Sequence, residues 1–195
     1  GLGDVYKRQG SGSAYDLSKR RSNLSILPPY DGKAFSSFVE TIYNMHGYIE
    51  HCREEYVLIS QGNVITNIDY TDVFDFHSKK KADITLIYKN HAIPQGYDRP
   101  ITLDVDNDGK VNQIFVKPGV VDKGVFNHAY GSILIKKDLL MSEIRNAISV
   151  NQLDVRRLIQ SSLGKYSIYA YENKGYCAAI SSINDYFEFN MDLMK

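Results

Sequence analysis

Between Glu55 and Tyr88 a short apolar run, a polar break, a helical stretch and a second apolar run follow one another, and few folds accept that order. Tyr56 to Ser60 has the length and apolar content of a strand covered on both faces in a parallel sheet. Gln61-Gly62-Asn63 ends it. Asp69, Tyr70 and Thr71 open a helix that runs to about His77, and Ala82 to Tyr88 is the next strand, so the span reads as a βαβ unit. Such units bind ligands just beyond the carboxyl ends of their strands, and Asn63 falls there.

The flanks extend the alternation. Asn23 to Leu27 is a short strand stopped by Pro28-Pro29, because proline cannot donate to a ladder. Phe35, Phe38, Val39, Ile42 and Tyr43 recur at helical spacing. Pro100 to Val105 and Val111 to Val116 flank Asp106-Asn107-Asp108-Gly109 as an antiparallel hairpin. Gly131 to Ile135 and Tyr166 to Tyr171 are further strands, with helices at Leu139 to Ile148, Leu153 to Gln160 and Ser182 to Leu193, the last capped by Ser182. The expected class is α/β, with a mixed sheet flanked by helices.

The bulk properties remove several function classes. Across 195 residues, 23 basic and 23 acidic side chains give a formal net charge of +0, so no global field recruits nucleic acid or an anionic membrane. Cys52 and Cys177 are too sparse for a disulfide framework and suit a reducing compartment, which makes cytoplasm the expected location. No apolar run reaches the ~20 residues of a membrane helix. Residues 1–12, GLGDVYKRQGSG, lack periodicity and are read as a non-native or disordered leader, the first nine, GLGDVYKRQ, resembling a translated sequencing-adapter scar; residues 13–195 are read as one partial domain.

Asp104, Asp106, Asp108 and Gly109 match the first half of a calcium loop, but the position owed to a bidentate glutamate is Phe115 and the flanks read as strands, so a polar hairpin turn is expected. Lys19-Arg20-Arg21 and Lys79-Lys80-Lys81 read as short solvated faces or a phosphate contact rather than nucleic-acid recognition, and receive no role. His46, His51, His77, His91 and His128 show no metal-ligand spacing and receive no function. There is no P-loop, C-x-x-C, H-E-x-x-H or G-x-S-x-G.

Several segments, in order, resemble the glucose-1-phosphate adenylyltransferase family. Asn23 to Tyr30 (NLSILPPY) is similar to its I-L-P-P segment, and Glu55 to Tyr70 to its E-Y-V-L-I-L-S-G-D-H-I-Y-K-M-D-Y strand and loop. His77 to Thr85 continues that match. Phe115 to Pro118 resembles F-x-E-K-P, Gly131 to Ile135 resembles G-I-Y-I-F, and Tyr176 to Leu193 resembles Y-W-x-D-I-G-T-x-x-x-Y-x-x-A-N-M-D-L. The resemblance implies a Rossmann-like, GT-A-like nucleotidyltransferase sheet, here without the family's N-terminal glycine-rich strand and loop and its C-terminal left-handed β-helix.

The departures from the family pattern carry the functional expectation. The resemblance implies that Asn63 and Ala179 stand where the family holds magnesium with two aspartates. Val116 stands for the glutamate that holds a sugar hydroxyl, Lys117 keeps the lysine that meets the sugar phosphate, and Ala129 replaces a serine. Lys117, Val116 and Ala129 are therefore expected as a vestigial substrate site, with no catalytic residue and no metal or other cofactor on this chain. The pattern resembles a noncatalytic regulatory subunit that supports ADP-glucose synthesis for glycogen. Its implied partner is a catalytic subunit, which holds the Mg2+, with a sugar phosphate as a possible effector and neither nucleic acid nor membrane as partner. The alternative is an active transferase, ATP and glucose 1-phosphate to ADP-glucose and pyrophosphate, recruiting metal through Asp69 or Asp72 or through residues outside this sequence. An unrelated α/β domain, with Asn63 a plain loop residue and Lys117 a surface lysine, is the bland reading.

Overall fold

The computed structural model describes residues 37–92, 100–116, 124–180 and 182–193. The expected leader, the Asn23 to Leu27 strand with its two prolines, and Lys117 lie outside the described residues.

The first described helix, α1 (Phe38–Asn44), starts at Ser37, whose Oγ accepts from the Glu40 N–H at 3.2 Å while the Glu40 carboxylate accepts from the Ser37 N–H at 2.9 Å. This reciprocal cap satisfies two amide donors that the first turn leaves without helical partners. Val39 and Ile42, three apart, turn inward. A short α2 (His46–His51) follows, then β1 (Tyr56–Ile59) and β2 (Val64–Thr66). Asp69 caps α3 (Tyr70–Lys80) by accepting from the Thr71 N–H at 2.8 Å, and Lys81 ends that helix in the left-handed region at φ 50°. β3 (Ile84–Ala92), β4 (Ile101–Val105), β5 (Val111–Val116) and β6 (Val125–Lys136) come next, then α4 (Lys137–Ser149), α5 (Val155–Ser161), β7 (Ile168–Glu172), β8 (Cys177–Ala179) and α6 (Ile183–Leu193). Ser182 and Asp185 cap α6 reciprocally, as expected of that serine.

The main sheet runs β5-β4-β6-β3-β7, with β1 also pairing β6. β6 is long enough to share one edge between two partners: β4 pairs it at His128 and Ala129, and β1 pairs it from Ile133 to Lys136. Its other edge takes β3 along nearly its whole length. Strand alternation sorts the side chains into two layers. Ile84, Leu86, Ile133, Ile135 and Ile168 face α1 and α4, where Val39 and Ile144 are wholly buried. On the opposite face Ile87 and Leu134 meet Val73 of α3. Each such buried aliphatic side chain contributes on the order of 2 kcal/mol by leaving water.

Two sequence expectations are corrected. β1 is not a strand covered on both faces in a parallel sheet: it runs antiparallel to β6, and Leu58 is 38% exposed. Because β1 and β3 are both antiparallel to β6, they run parallel to each other with β6 between them, so the βαβ path survives with a third strand inserted. β3 and β7 form the parallel pair among the described residues. The strand expected at Gly131 to Ile135 is the second half of the twelve-residue β6, whose first half, Val125 to Tyr130, mixes polar and apolar residues too evenly to show as a strand. The Asp106 to Gly109 segment is the expected hairpin turn: Asp106 Oδ1 accepts from the N–H groups of Asp108 and Lys110.

Candidate functional site

The turn after β1 brings the two expected metal positions together. Val64 N–H donates to the Gln61 carbonyl at 3.2 Å, which turns the chain into β2 with Asn63 just ahead of it. β2 pairs antiparallel with β8 and places Ala179 opposite Val64. One step along, Ile180 N–H donates to the Asn63 carbonyl at 2.7 Å, and Asn63 Nδ2 donates to the Ile180 carbonyl at 3.3 Å. Asn63 and Ala179 are thus diagonal neighbours on one two-stranded ribbon. Their chemistry does not fit magnesium: the amide oxygen of Asn63 is a neutral ligand, and Ala179 offers a methyl group where a hard anionic oxygen is needed. Among the described residues no group of three His, Cys, Asp or Glu side chains is placed to hold a metal ion. No step through magnesium is drawn on this chain.

Val116 and Ala129 are aligned as well. Ile101 of β4 pairs with Val116 on one side and with Ala129 on the other, so the three form a row across the sheet. Ala129, buried in that row, lines a cavity of about 270 Å³ together with Ser60, Gln61, Gly131 and Arg156. The contact with the Asn63 turn is direct. Ser60 Oγ lies 3.1 Å from Ser132 Oγ, and Gln61 lies over Gly131, where an added Cβ would come within 2.4 Å of Gln61 Nε2. Gly131 itself sits at φ 78°, where the register between β3 and β6 slips.

Two features were not found by sequence reasoning. On the α3 side of the sheet His128 is fully buried, its ring stacked near His91 and Tyr130, with Tyr130 OH and His91 Nε2 2.5 Å apart and His91 Nε2 3.3 Å from His128 Nδ1. Burial, and then the nearby His91, hold the His128 imidazole down to about 4. The signal available was the alternation of Phe126, His128 and Tyr130 on one strand face, which is too common to mark a site. His77 is a packing residue: buried, edge-on to Tyr56, with Nδ1 2.8 Å from Thr85 Oγ1.

The second feature is an open cavity of about 660 Å³ at the carboxyl end of β7, bordered by α3, the β4–β5 turn and the loop after β7. Asp69 and Asp72 both line it, whereas Asn63 and Ala179 do not. The backbone N–H of Thr71, and then its hydroxyl, hold the Asp69 carboxyl below its usual range. This cavity and the expected metal corner are therefore separate places, and the corner is the one that the sequence resemblance concerns.

The mixed α/β sheet flanked by helices is a nucleotidyltransferase-like fold. The chain is similar to the crystal structure of HddC from Yersinia pseudotuberculosis with a TM-score of 0.56, at 16% identity, over 80% of this chain and 62% of that one; at that identity the likeness shows the fold alone. No family model matches the chain. In sequence it is similar to glucose-1-phosphate adenylyltransferase from Clostridium acetobutylicum, 29% identical over 195 residues that cover 95% of this chain and 50% of the relative. The enzymes of the same name from Bacillus subtilis and Clostridium kluyveri are 28% and 26% identical, each over 95% of this chain and 50% of their own length. The chain spans about half the length of these curated relatives. No helix among the described residues is long and apolar enough to cross a membrane.

Proposed function

We propose that this chain belongs to a regulatory, catalytically inactive counterpart of glucose-1-phosphate adenylyltransferase, which supports ADP-glucose synthesis by assembling with a catalytic subunit. The observation that carries the reading is the Asn63–Ala179 corner. The ribbon that pairs these positions is intact, down to the two hydrogen bonds between Asn63 and Ile180, while both carboxylates are missing. Paired anionic oxygens are the protein's main means of holding a metal that neutralises charge developing on phosphates, so their loss costs orders of magnitude in rate. Val116 and Ala129, aligned across Ile101, add a methyl-lined row where the resemblance places a glutamate and a serine. In this reading the fold is kept as an interface and influence passes to the partner through it, with a sugar phosphate as a possible effector.

The test is magnesium-dependent adenylyl transfer by the full-length protein, assayed alone and then mixed with the catalytic subunit from the same source. Silence alone with stimulation in the mixture supports the reading. Robust turnover by the protein alone overturns it and turns attention to Asp69 and Asp72, the acidic pair that shares the larger cavity.

A further inference from the structure

The 660 Å³ cavity is of the size that holds a small organic ligand, and its lining limits which kind. Phe76 and Tyr171 stand edge to face, with ring centroids 5.5 Å apart, and with Tyr88 they give the cavity a half-buried aromatic wall. Lys80 lies 5.9 Å from the centre of the Phe76 ring and is paired with Asp108, so its charge is already answered. Asp106 is likewise engaged by the amides of its own turn. Asp72, Glu172, Asn67, Asn107 and Lys174 line the remaining wall.

In all, five carboxylates face two lysines, a balance of three negative charges. A phosphate entering this cleft would meet like charge from five carboxylates, all on exposed residues. A neutral polyol meets no such repulsion. Carboxylates accept from hydroxyls, carboxamides both donate and accept, the lysine donates, and aromatic faces take the C–H surface of a sugar ring. We propose that the cavity at the carboxyl end of β7 binds a neutral carbohydrate through the Phe76–Tyr171 wall and the polar groups of Asn67, Asp72, Asn107 and Glu172. This inference goes beyond the regulatory reading and does not depend on it. It also separates this cavity from any seat for a phosphorylated effector.

The experiment titrates the whole 195-residue chain with maltotriose, glucose 1-phosphate and spermidine in parallel, following the side-chain amide signals of Asn67 and Asn107 by NMR. Maltotriose is expected to move both signals with a dissociation constant of about 1 mM, and Asp72→Asn or Glu172→Gln is expected to weaken it about fivefold. Arg145→Gln, on the exposed face of α4, leaves it unchanged. Glucose 1-phosphate should bind more weakly than the neutral sugar. No response to maltotriose overturns the proposal, as does tighter binding of either glucose 1-phosphate or spermidine. Since no turnover is measured, failure here is distinguishable from failure of the adenylyl-transfer assay.

Discussion

Ile180 donates its backbone N–H to the carbonyl of Asn63 at 2.7 Å and receives the Asn63 side-chain amide on its own carbonyl at 3.3 Å. Asn63 is therefore part of the ladder that holds Ala179 and Ile180 of the other strand in place. An aspartate at 63 could not make the second bond, because an ionised carboxylate only accepts. On the proposed reading, a cation ligand has been exchanged for a backbone tie.

Restoring both carboxylates tests that exchange. Asn63→Asp with Ala179→Asp places two acidic side chains on diagonal positions of the β2–β8 ribbon. The double variant should gain Mn2+ or Mg2+ binding, read by calorimetry or by Mn2+ electron resonance, while the parent chain binds neither at that corner. The single Asn63→Asp change loses one exposed hydrogen bond, and its stability should fall by no more than about 1 kcal/mol. An unchanged metal isotherm for the double variant would show that the corner lacks the geometry of a metal site as well as its charges.

Gly131 is the pivot between β1 and the β6 bulge. At φ 78° an alanine pays the left-handed penalty of roughly 1–2 kcal/mol, and its Cβ would also displace the Gln61 side chain, Nε2 of which would lie 2.4 Å away. Gly131→Ala should lower the urea midpoint accordingly. In a double-mutant cycle Gln61→Ala should recover the steric part and leave the backbone part. Full recovery would mean that the backbone is not strained.

How much of this was legible in the sequence depended on which residues spoke for themselves. The α3 start was readable because Asp69 and the apolar spacing after it act within one turn, and the β4–β5 hairpin because four turn residues separate two apolar runs. β2 and β8 were missed: each is three residues long and exists through its partner, a pairing set by contacts between distant parts of the chain. For the same reason the adjacency of Asn63 and Ala179 came from the family resemblance, and only the ribbon gives it a physical form. The direction of β1 could not be read either, since an apolar run of four residues does not say which strand will lie beside it. The 660 Å³ cavity draws on separate segments of the chain, and the one motif-like run among them, Asp106 to Gly109, reads on its own as a hairpin turn and not as part of a cavity.

The two thiols should separate cleanly by reactivity. Burial is the main cause that pushes the Cys177 thiol up to about 11, with Lys89 and a hydrogen bond to Thr66 opposing it. At neutral pH only on the order of one molecule in ten thousand carries the thiolate there, so a disulfide reagent should modify Cys177 roughly 100-fold more slowly than a free cysteine. Cys52→Ser isolates the Cys177 reaction. Rapid labelling of that variant in the folded state would show that β8 opens readily, and the β2–β8 ribbon would then be too loose to fix the Asn63 corner.

The buried His128 makes stability depend on pH in a direction that can be worked out. Its imidazole is held down to about 4 in the fold by burial first and His91 second, against 6.5 for a free ring. Above about pH 6.5 neither the folded nor the unfolded chain holds the proton, so the full stability is present. As the pH falls below 6.5 the unfolded chain takes up a proton that the folded chain refuses, and stability drains until the folded ring titrates near 4. The loss should be about 2 kcal/mol by pH 5, since each unit of the window is worth about 1.4 kcal/mol. His77 and His91, also lowered chiefly by burial, act in the same direction and start from the same 6.5. Urea midpoints should therefore be flat from about pH 8 to 7 and fall steadily from about 6.5 to 5, a range mostly above the carboxylate titrations. His128→Asn should lower the midpoint at neutral pH, because it leaves a packed site underfilled, and should make the fall below 6.5 shallower. A parent chain whose midpoint does not change down to pH 5 would mean that His128 takes up its proton within the fold, and the stacked His91–His128–Tyr130 arrangement would have to open to admit it.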